Sequence, residues 1–560
     1  MKIRLRAYAP ELLNILRAGY TKAQFAGDSV GGITVAIVAL PLAMAFAIAS
    51  GVGPEKGLIT AIVAGIVASF FGGSRVQISG PTGAFVVVIY DIVMRFGYEG
   101  LAVATLMAGA FLVLMGIFKL GAVIKYIPYP VITGFTSGIA LLIFSSQVAD
   151  ILGLGIENLP GAFLPKWQMI FLNLSKISFM TLLLGLVSIL TIVFVKRFSP
   201  KLPGHLIAVI VGVIAVSYLN FPVETIHSRF GDIEPSLTFA SFNSSFSFET
   251  IKALLPSAFT IAILAAIESL LCAVVADGMM GTRHNANSEL VGQGLANLGS
   301  IAFGGIPATA AIARTATNIK AGGKTPISGI IHSIVLAMFM FFLADFIVLI
   351  PLASLAAILI VVAWNMSEVE NIKHILKAPT SDVAVLATTF LLTVLIDLTV
   401  AVQVGVVLAA ILFIKRIMKV SEIINITESA YALPGDDPDG IDEKVVATGV
   451  EVYEVNGPFF FGVADKLKYI LDSIGVLPKV FVLRMRHVPF VDATGMYALK
   501  EFYEKCRQSG TILVLSGVGP KLMKDLERFG FVKLVGKENV FSHIDTALWR
   551  ANRLAKINKD

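Results

Sequence analysis

The sequence predicts a polytopic α-helical membrane protein of about fourteen spans, arranged as a seven-plus-seven inverted repeat and followed by a small α/β domain. Three observations predict it. The chain of 560 residues is 56% hydrophobic and 15% charged, with a mean hydropathy of +0.83, where a soluble domain needs far more surface charge. Two apolar segments about 230 residues apart are broken in matching ways. Lys and Arg recur in every second loop, as expected of loops that share one side of a membrane.

Apolar windows of bilayer-spanning length fall near 30–50, 55–71, 78–95, 100–117, 128–148, 178–196 and 204–220. A second set falls near 255–276, 289–304, 308–320, 327–344, 346–364, 382–397 and 399–416. The N-terminal segment 1–26, with Lys2, Arg4, Arg6, Arg17 and Lys22, is basic and lacks a cleavable-signal pattern. If it is cytoplasmic, each loop after an even-numbered span should be basic. Those loops carry Lys119 and Lys125, then Lys196, Arg197 and Lys201, then Arg283. Lys320 and Lys324, Lys373 and Lys377, and Lys415, Arg416 and Lys419 follow in the later ones. The membrane region is thus read as 27–419, in an inner (plasma) membrane, with the tail cytoplasmic. Net charge +6 is accounted for by these loops and gives no reason to expect nucleic acid.

Seven is odd, so the second set enters the bilayer from the side opposite the first. The breaks lie in the third span, Phe71-Gly72-Gly73 through Ser79-Gly80-Pro81-Thr82-Gly83-Ala84-Phe85, and in the tenth, Phe303-Gly304-Gly305-Ile306-Pro307 through Arg314. Non-helical backbone at membrane depth survives only where protein or a cavity satisfies its polar groups. Such breaks in matching positions of two halves point to a transporter's central site. Helices are expected to restart near Thr82 and near Thr309, head to head at the midplane. Unpaired N–H groups and the helix dipole make each start electropositive, and together they form a receptacle for an anion.

Two charged side chains stand beside it. Glu268 lies in the otherwise uncharged run Pro256–Ala276, where an ionisable group is a functional candidate by default. It is either a structural carboxylate or a coupling site that takes a proton. Sodium, the rival, wants several oxygen ligands, and Cys272 one turn along is a poor one. Arg314, one turn into the tenth-span helix, contradicts dipole logic unless an anion or Glu268 compensates it. An ion pair with Glu268 and a substrate-facing cation both remain open. Pro41 is read as a kink, and Phe46 and Phe85 as packing or site lining. Asp277, Arg283, His284 and Glu289 read as a solvated turn between spans eight and nine. No metal-spaced cluster or nucleophile–base pair suggests an enzyme, a cofactor or a metal.

Residues 420–443, with Pro434-Gly435-Asp436-Asp437-Pro438-Asp439-Gly440, read as a linker. Beyond it, 444–560 alternates strands and helices: strands over Val445–Val452, Val480–Met485 and Ile512–Leu515, helices near 463–473, 496–507, 521–529 and 543–555. Val491-Asp492-Ala493-Thr494-Gly495 opens one helix with natural capping groups. Cys272 and Cys506 lie in different regions and suggest no disulfide.

Gly32-Ile33-Thr34 through Leu40-Pro41, Ser79-Gly80-Pro81-Thr82-Gly83, Glu268-Ser269-Leu270-Leu271 and Gly304-Gly305-Ile306-Pro307 with Arg314 together resemble the SulP (sulfate permease) anion transporters. The likeness covers essentially the whole chain, and the tail looks like a STAS domain. The resemblance implies core and gate domains, a homodimer, and a small anion held by Thr82, Gly83 and Ala84 opposite Ala310, Ala311 and Ile312. It implies that Phe46 lines the pocket and that Thr494 stands where related tails are phosphorylated, with a regulatory partner there. Cys272 and Ile312 replace hydroxyls of sodium-coupled bicarbonate members, which leaves protons as the favoured coupling ion. The stretch Ala266 through Arg314 looks closest to bacterial C4-dicarboxylate/proton carriers. The expectation is a proton-coupled anion transporter, for a C4-dicarboxylate first of all; a sodium- or proton-coupled bicarbonate or sulfate transporter, an uncoupled channel and a transport-inactive regulator are the alternatives.

Overall fold

The computed structural model describes residues 9–122, 127–156, 159–199, 202–219, 221–232, 236–240, 247–396, 398–429, 441, 444–463, 466–467, 470 and 478–557. It divides into two compact units, Met1–Ala409 and Ala410–Asp560.

The first half of the membrane unit comprises α1 (Lys22–Ala49), α2 (Pro54–Phe71), β1 (Ser79–Gly80), α3 (Gly83–Ile117), α4 (Tyr129–Leu152), α5 (Phe163–Leu172), α6 (Phe179–Phe198) and α7 (Gly204–Leu219). The second half comprises α8 (Phe248–Met280), α9 (Ala286–Ala302), β2 (Thr309–Ala310), α10 (Ile312–Lys320), α11 (Ile327–Phe342), α12 (Leu352–Met366), α13 (Thr380–Leu395) and α14 (Leu398–Val420). Among the described residues, eight helical stretches, Leu352–Ile375 counted as one, are long and apolar enough to cross a membrane on length and composition alone. Gly97, at φ 67°, divides α3 into two helices and therefore two spans. Counting α3 twice and leaving the short α5 aside gives fourteen spans, seven in each half.

Packing repeats across the halves. α9 lies on α3 as α11 lies on α2, α8 on α3 as α11 on α1, and α13 on α4 as α12 on α6. Exchange of the two halves turns each member of these pairs into the other, as an inverted repeat requires. α1–α3 and α8–α11 form the core, and α4, α6, α7 and α12–α14 form the gate. Small residues permit the close approaches: a methyl group on Gly57 would lie 2.0 Å from the Ala43 carbonyl oxygen. Pro41 sits within α1, which continues through it to Ala49.

The second unit contains a four-stranded sheet in the order β3 (Glu422–Asn425), β4 (Val450–Asn456), β5 (Val480–His487) and β6 (Ile512–Ser516). β3 pairs antiparallel to β4, and the other neighbours are parallel. Helices α15 (Ala493–Gln508), α16 (Pro520–Arg528) and α17 (Ile544–Ile557) match three of the expected four. The fourth, near 463–473, lies partly outside the described residues. Two expectations are corrected. The first predicted strand begins at Val450 rather than Val445, because Gly449, at φ 89°, turns the chain immediately before it. Part of the expected linker, Glu422–Asn425, is a sheet strand, since its alternating Ile423 and the backbone find a partner in β4. Asp492 caps α15 by accepting from the Gly495 amide at 2.7 Å, and Thr494 is exposed beside it.

Candidate functional site

The two breaks pair with each other. β1 and β2 form a two-residue antiparallel ladder, Ser79 opposite Ala310 and Gly80 opposite Thr309. The Ala311 amide extends it by donating to the Ile78 carbonyl at 3.0 Å, and the Ile78 amide donates to Thr315 Oγ1 at 3.0 Å. An antiparallel ladder sends its two outgoing chains in opposite directions. Hence α3 leaves from Gly83 and α10 from Ile312, with their N-termini on either side of one short ladder. The caps are Thr82 (φ −132°, ψ 159°) and Ala311 (φ −108°, ψ 119°), and neither side chain bonds a first-turn amide. The first amides of both helices are thereby left for a ligand.

The tenth-span restart differs from expectation. Thr309 and Ala310 belong to the ladder, and the helix begins at Ile312. Thr309 does not cap; its hydroxyl donates to the Ala265 carbonyl at 3.1 Å and meets Ser269 Oγ at 2.7 Å.

Glu268 meets the other break. Its Oε2 accepts a hydrogen bond from Thr82 Oγ1 at 3.1 Å, joining α8 to the N-cap of α3. Arg314 is buried, 3% exposed, and Nη2 donates to the Pro81 carbonyl. A methyl group on Gly80 would stand 2.6 Å from Nη1, so a side chain there would displace the guanidinium from its present place. Of the two readings open for Arg314, the ion pair is not formed: none joins Glu268 and Arg314 within 4.0 Å among the described residues. The Pro81 carbonyl, freed by the break, holds the arginine instead, and Nη1 has no hydrogen-bond partner.

The lining is close. A methyl group on Gly83 would lie 2.9 Å from Met366 Sδ, 3.1 Å from Ile143 Cδ1 and 3.4 Å from Phe46 Cε1. Phe46 therefore faces the α3 start together with two gate side chains, from α4 and α12. Thr82 and Ala84 are buried there, whereas Phe85 is 0% exposed and belongs to the hydrophobic core. Ile312 is exposed and Ala311 half-buried.

Sequence reasoning missed the polar scaffold that holds the breaks. Glu289, read as solvated, is 2% exposed; Oε2 accepts from the Gly73 and Ser74 amides at 2.9 and 3.0 Å. The correction has a simple cause, since the Phe-Gly-Gly exit strands amides that need an acceptor. Gln293 donates to both Glu289 Oε1 and Ser79 Oγ, and Asn297 exchanges two bonds with Ala308. Asp28, 0% exposed, accepts from the Lys324 and Thr325 amides, Thr325 Oγ1 and Tyr20 Oη. Glu289, an acidic residue in the first turn of α9, was the available signal.

A cleft of about 660 Å³ opens between core and gate beyond the C-terminal end of α1, on the face opposite that from which α1 starts. Its floor includes Ile48, Val86, Val87 and Leu142, one turn from Phe46, Gly83 and Ile143. Tyr90 of the core donates to the Leu159 carbonyl of the gate across it, at 2.5 Å.

The sequence profile described as the Sulfate permease family matches residues 25–389, and that of the STAS domain matches residues 443–547. The chain belongs to the sulfate permease family. It is 40% identical to YvdB of Bacillus subtilis strain 168, provisionally named a sulfate transporter, over 94% of this chain and 98% of that protein. It is 32% identical to the Bicarbonate transporter BicA of Picosynechococcus, over 94% of each chain. The murine Slc26a9 anion transporter, solved in an inward-facing state, shares the fold with a TM-score of 0.88 at 19% identity, covering 99% of this chain and 95% of that one. The transmembrane domain of a cyanobacterial BicA gives 0.62 at 32% identity, over 70% of this chain and 98% of that domain. The chain is thus an anion transporter by family, with the tail a STAS domain. YvdB and BicA are named for sulfate and bicarbonate, so the expected likeness to C4-dicarboxylate carriers is not supported.

Proposed function

We propose that this protein is a proton-coupled secondary transporter of a small oxyanion, bicarbonate or sulfate, in the inner membrane, with its N-terminus and STAS domain cytoplasmic. The observation that carries the reading is the juxtaposition of two uncapped helix N-termini, Arg314 and a carboxylate that bonds the α3 cap. The anion lies between the first amides of α3 and α10, near Thr82, Gly83 and Ala84 on one side and Ala311 and Ile312 on the other. Arg314, tied to Pro81, adds positive charge to the same ladder and leaves Nη1 unspent among the described residues. Glu268 carries the proton, so that the occupied site approaches neutrality at membrane depth.

Closeness of Phe46, Ile143 and Met366 around Gly83 favours a compact anion over a four-carbon diacid. Sodium is disfavoured because the oxygens nearest Glu268 are few: Thr82 supplies one, and the Pro81 carbonyl is taken by Arg314. Movement of the core against the gate, pivoting past the Gly83 contacts, exposes the site alternately to the two faces. A homodimer, and a regulatory partner reading the exposed Thr494, complete the proposal.

The test is purified protein in liposomes, assayed with labelled sulfate, bicarbonate and succinate under imposed proton or sodium gradients. Uptake of sulfate or bicarbonate that follows the proton gradient supports the reading. Uptake driven by sodium, or a reversal potential that ignores protons, overturns it. Arg314→Ala should weaken anion binding while sparing expression, and equal binding would count against its role.

A further inference from the structure

We infer that the cleft on the far side of the site carries a second anion subsite, built from Lys166 and the N-terminus of α5. The inference rests on the anion-transport reading for its ligand class, a small oxyanion on its way to the central site.

Lys166 is 5% exposed yet forms part of the cleft wall. Lysine is almost never buried without a partner. Among the described residues no hydrogen bond or ion pair satisfies its ammonium, and no carboxylate acts on its charge. The other cations of the cleft are spent: Arg95 on Asp91 at 2.9 Å, and Arg229 on Asp150 at 3.0 Å and Glu224 at 2.6 Å. Among the described residues of the cleft, Lys166 alone keeps an uncommitted positive charge.

Its position on the helix points the same way. Lys166 lies in the first turns of α5, where a cation opposes the macrodipole. The cap, Ala162, supplies no side-chain acceptor, and Gly161, Ala162 and Phe163 line the same cleft as Lys166. The amides of Phe163 and Leu164 have no partner within the helix, Pro165 has no N–H, and Phe163 shares the cleft wall with the unpaired ammonium, so one oxyanion can satisfy both. Burial lowers the ammonium to about 8, so it is still charged at neutral pH but pays for its desolvation until an anion arrives. Val86, one turn from Gly83, lines the same cleft as Lys166, so an anion held at Lys166 shares its space with the approach to the central site.

Two measurements test this on the full chain in lipid nanodiscs and liposomes. In the first, acetylation of Lys166 by an acetyl ester is followed by peptide mass spectrometry at pH 8. Sulfate and formate should slow it about fivefold relative to gluconate, a factor a single ionic contact supplies. Exposed Lys521 should be unaffected. An unchanged rate, or a Lys166 that never reacts, overturns the subsite whatever the protein transports. In the second, Lys166→Gln should raise the half-saturation concentration for the carried anion about fivefold with little change in maximal rate, and Lys166→Arg should restore it. An unaltered half-saturation in Lys166→Gln also overturns it. Failure of the unmodified protein to move any oxyanion would instead count against the transport reading, while the acetylation result would stand by itself.

Discussion

Substitution of Glu268 by Gln isolates the coupling step. Of the buried carboxylates in the core, Asp28 has both oxygens taken by backbone amides and hydroxyls, and Glu289 is held by two amides and Gln293. Protonating either would strand backbone donors. Among the described residues Glu268 has one partner, the Thr82 hydroxyl, which can donate to a carboxylate or accept from a carboxylic acid. A single exchangeable acid means one proton per cycle. One pH unit then supplies about 1.4 kcal/mol, or about a tenfold rise in the steady accumulation ratio. The glutamine side chain keeps a carbonyl for Thr82 but binds no proton. The assay is labelled anion accumulated by proteoliposomes with the membrane voltage clamped at zero and pH differences of zero to one unit. Sulfate is the cleaner probe, because bicarbonate equilibrates with carbon dioxide. The unmodified protein should give about a tenfold ratio per unit, and Glu268→Gln no dependence on pH difference. A variant that keeps the slope refutes the assignment.

Other expectations follow from the scaffold and the packing. Glu289→Ala removes the acceptor for the Gly73 and Ser74 amides and should lower stability in detergent by about 3–5 kcal/mol, seen as a large fall in melting temperature; an unchanged melt would deny its role. Gly83→Ala places a methyl group against Met366 and Ile143 and should cost about 1–3 kcal/mol of overpacking, read as at least a fivefold loss of transport with normal expression. Cys506 is fully buried in the STAS domain, and burial pushes its thiol up to about 12. The folded thiol holds its proton where the unfolded one has lost it, so its contribution to stability is constant below pH 9 and falls as pH rises from there to about 12. Alkylation followed by intact mass should find Cys506 unreactive until the domain unfolds.

Much of the core is legible in the sequence because membranes impose strong rules. Apolar windows and the parity of basic loops place the spans, since each uses a constraint that tertiary packing cannot override. The breaks are legible for the same reason: Gly-Gly and Gly-Pro at membrane depth require a protein-lined space. Their pairing into a ladder is not. Thr309 and Ala310 look like a helix start in isolation, and only the partner strand, about 230 residues away, makes them a strand. Arg314 reads as a charge in need of compensation, but its partner, the Pro81 carbonyl, is a backbone group that any residue type could supply. Glu289 misleads because a carboxylate near a loop is usually solvated; its burial depends on which amides the fold brings to it. Lys166 gives no signal at all, because its isolation is a property of three-dimensional neighbours.

The most direct measurement is a structure determined with selenate or sulfate bound, inspected for density beside the ladder. An anion is expected within hydrogen-bond distance of the first amides of α3 and α10, with Glu268 on the Thr82 side and Arg314 beside the ladder. Density that lies elsewhere in the core, or a Glu268 turned toward lipid, would contradict it.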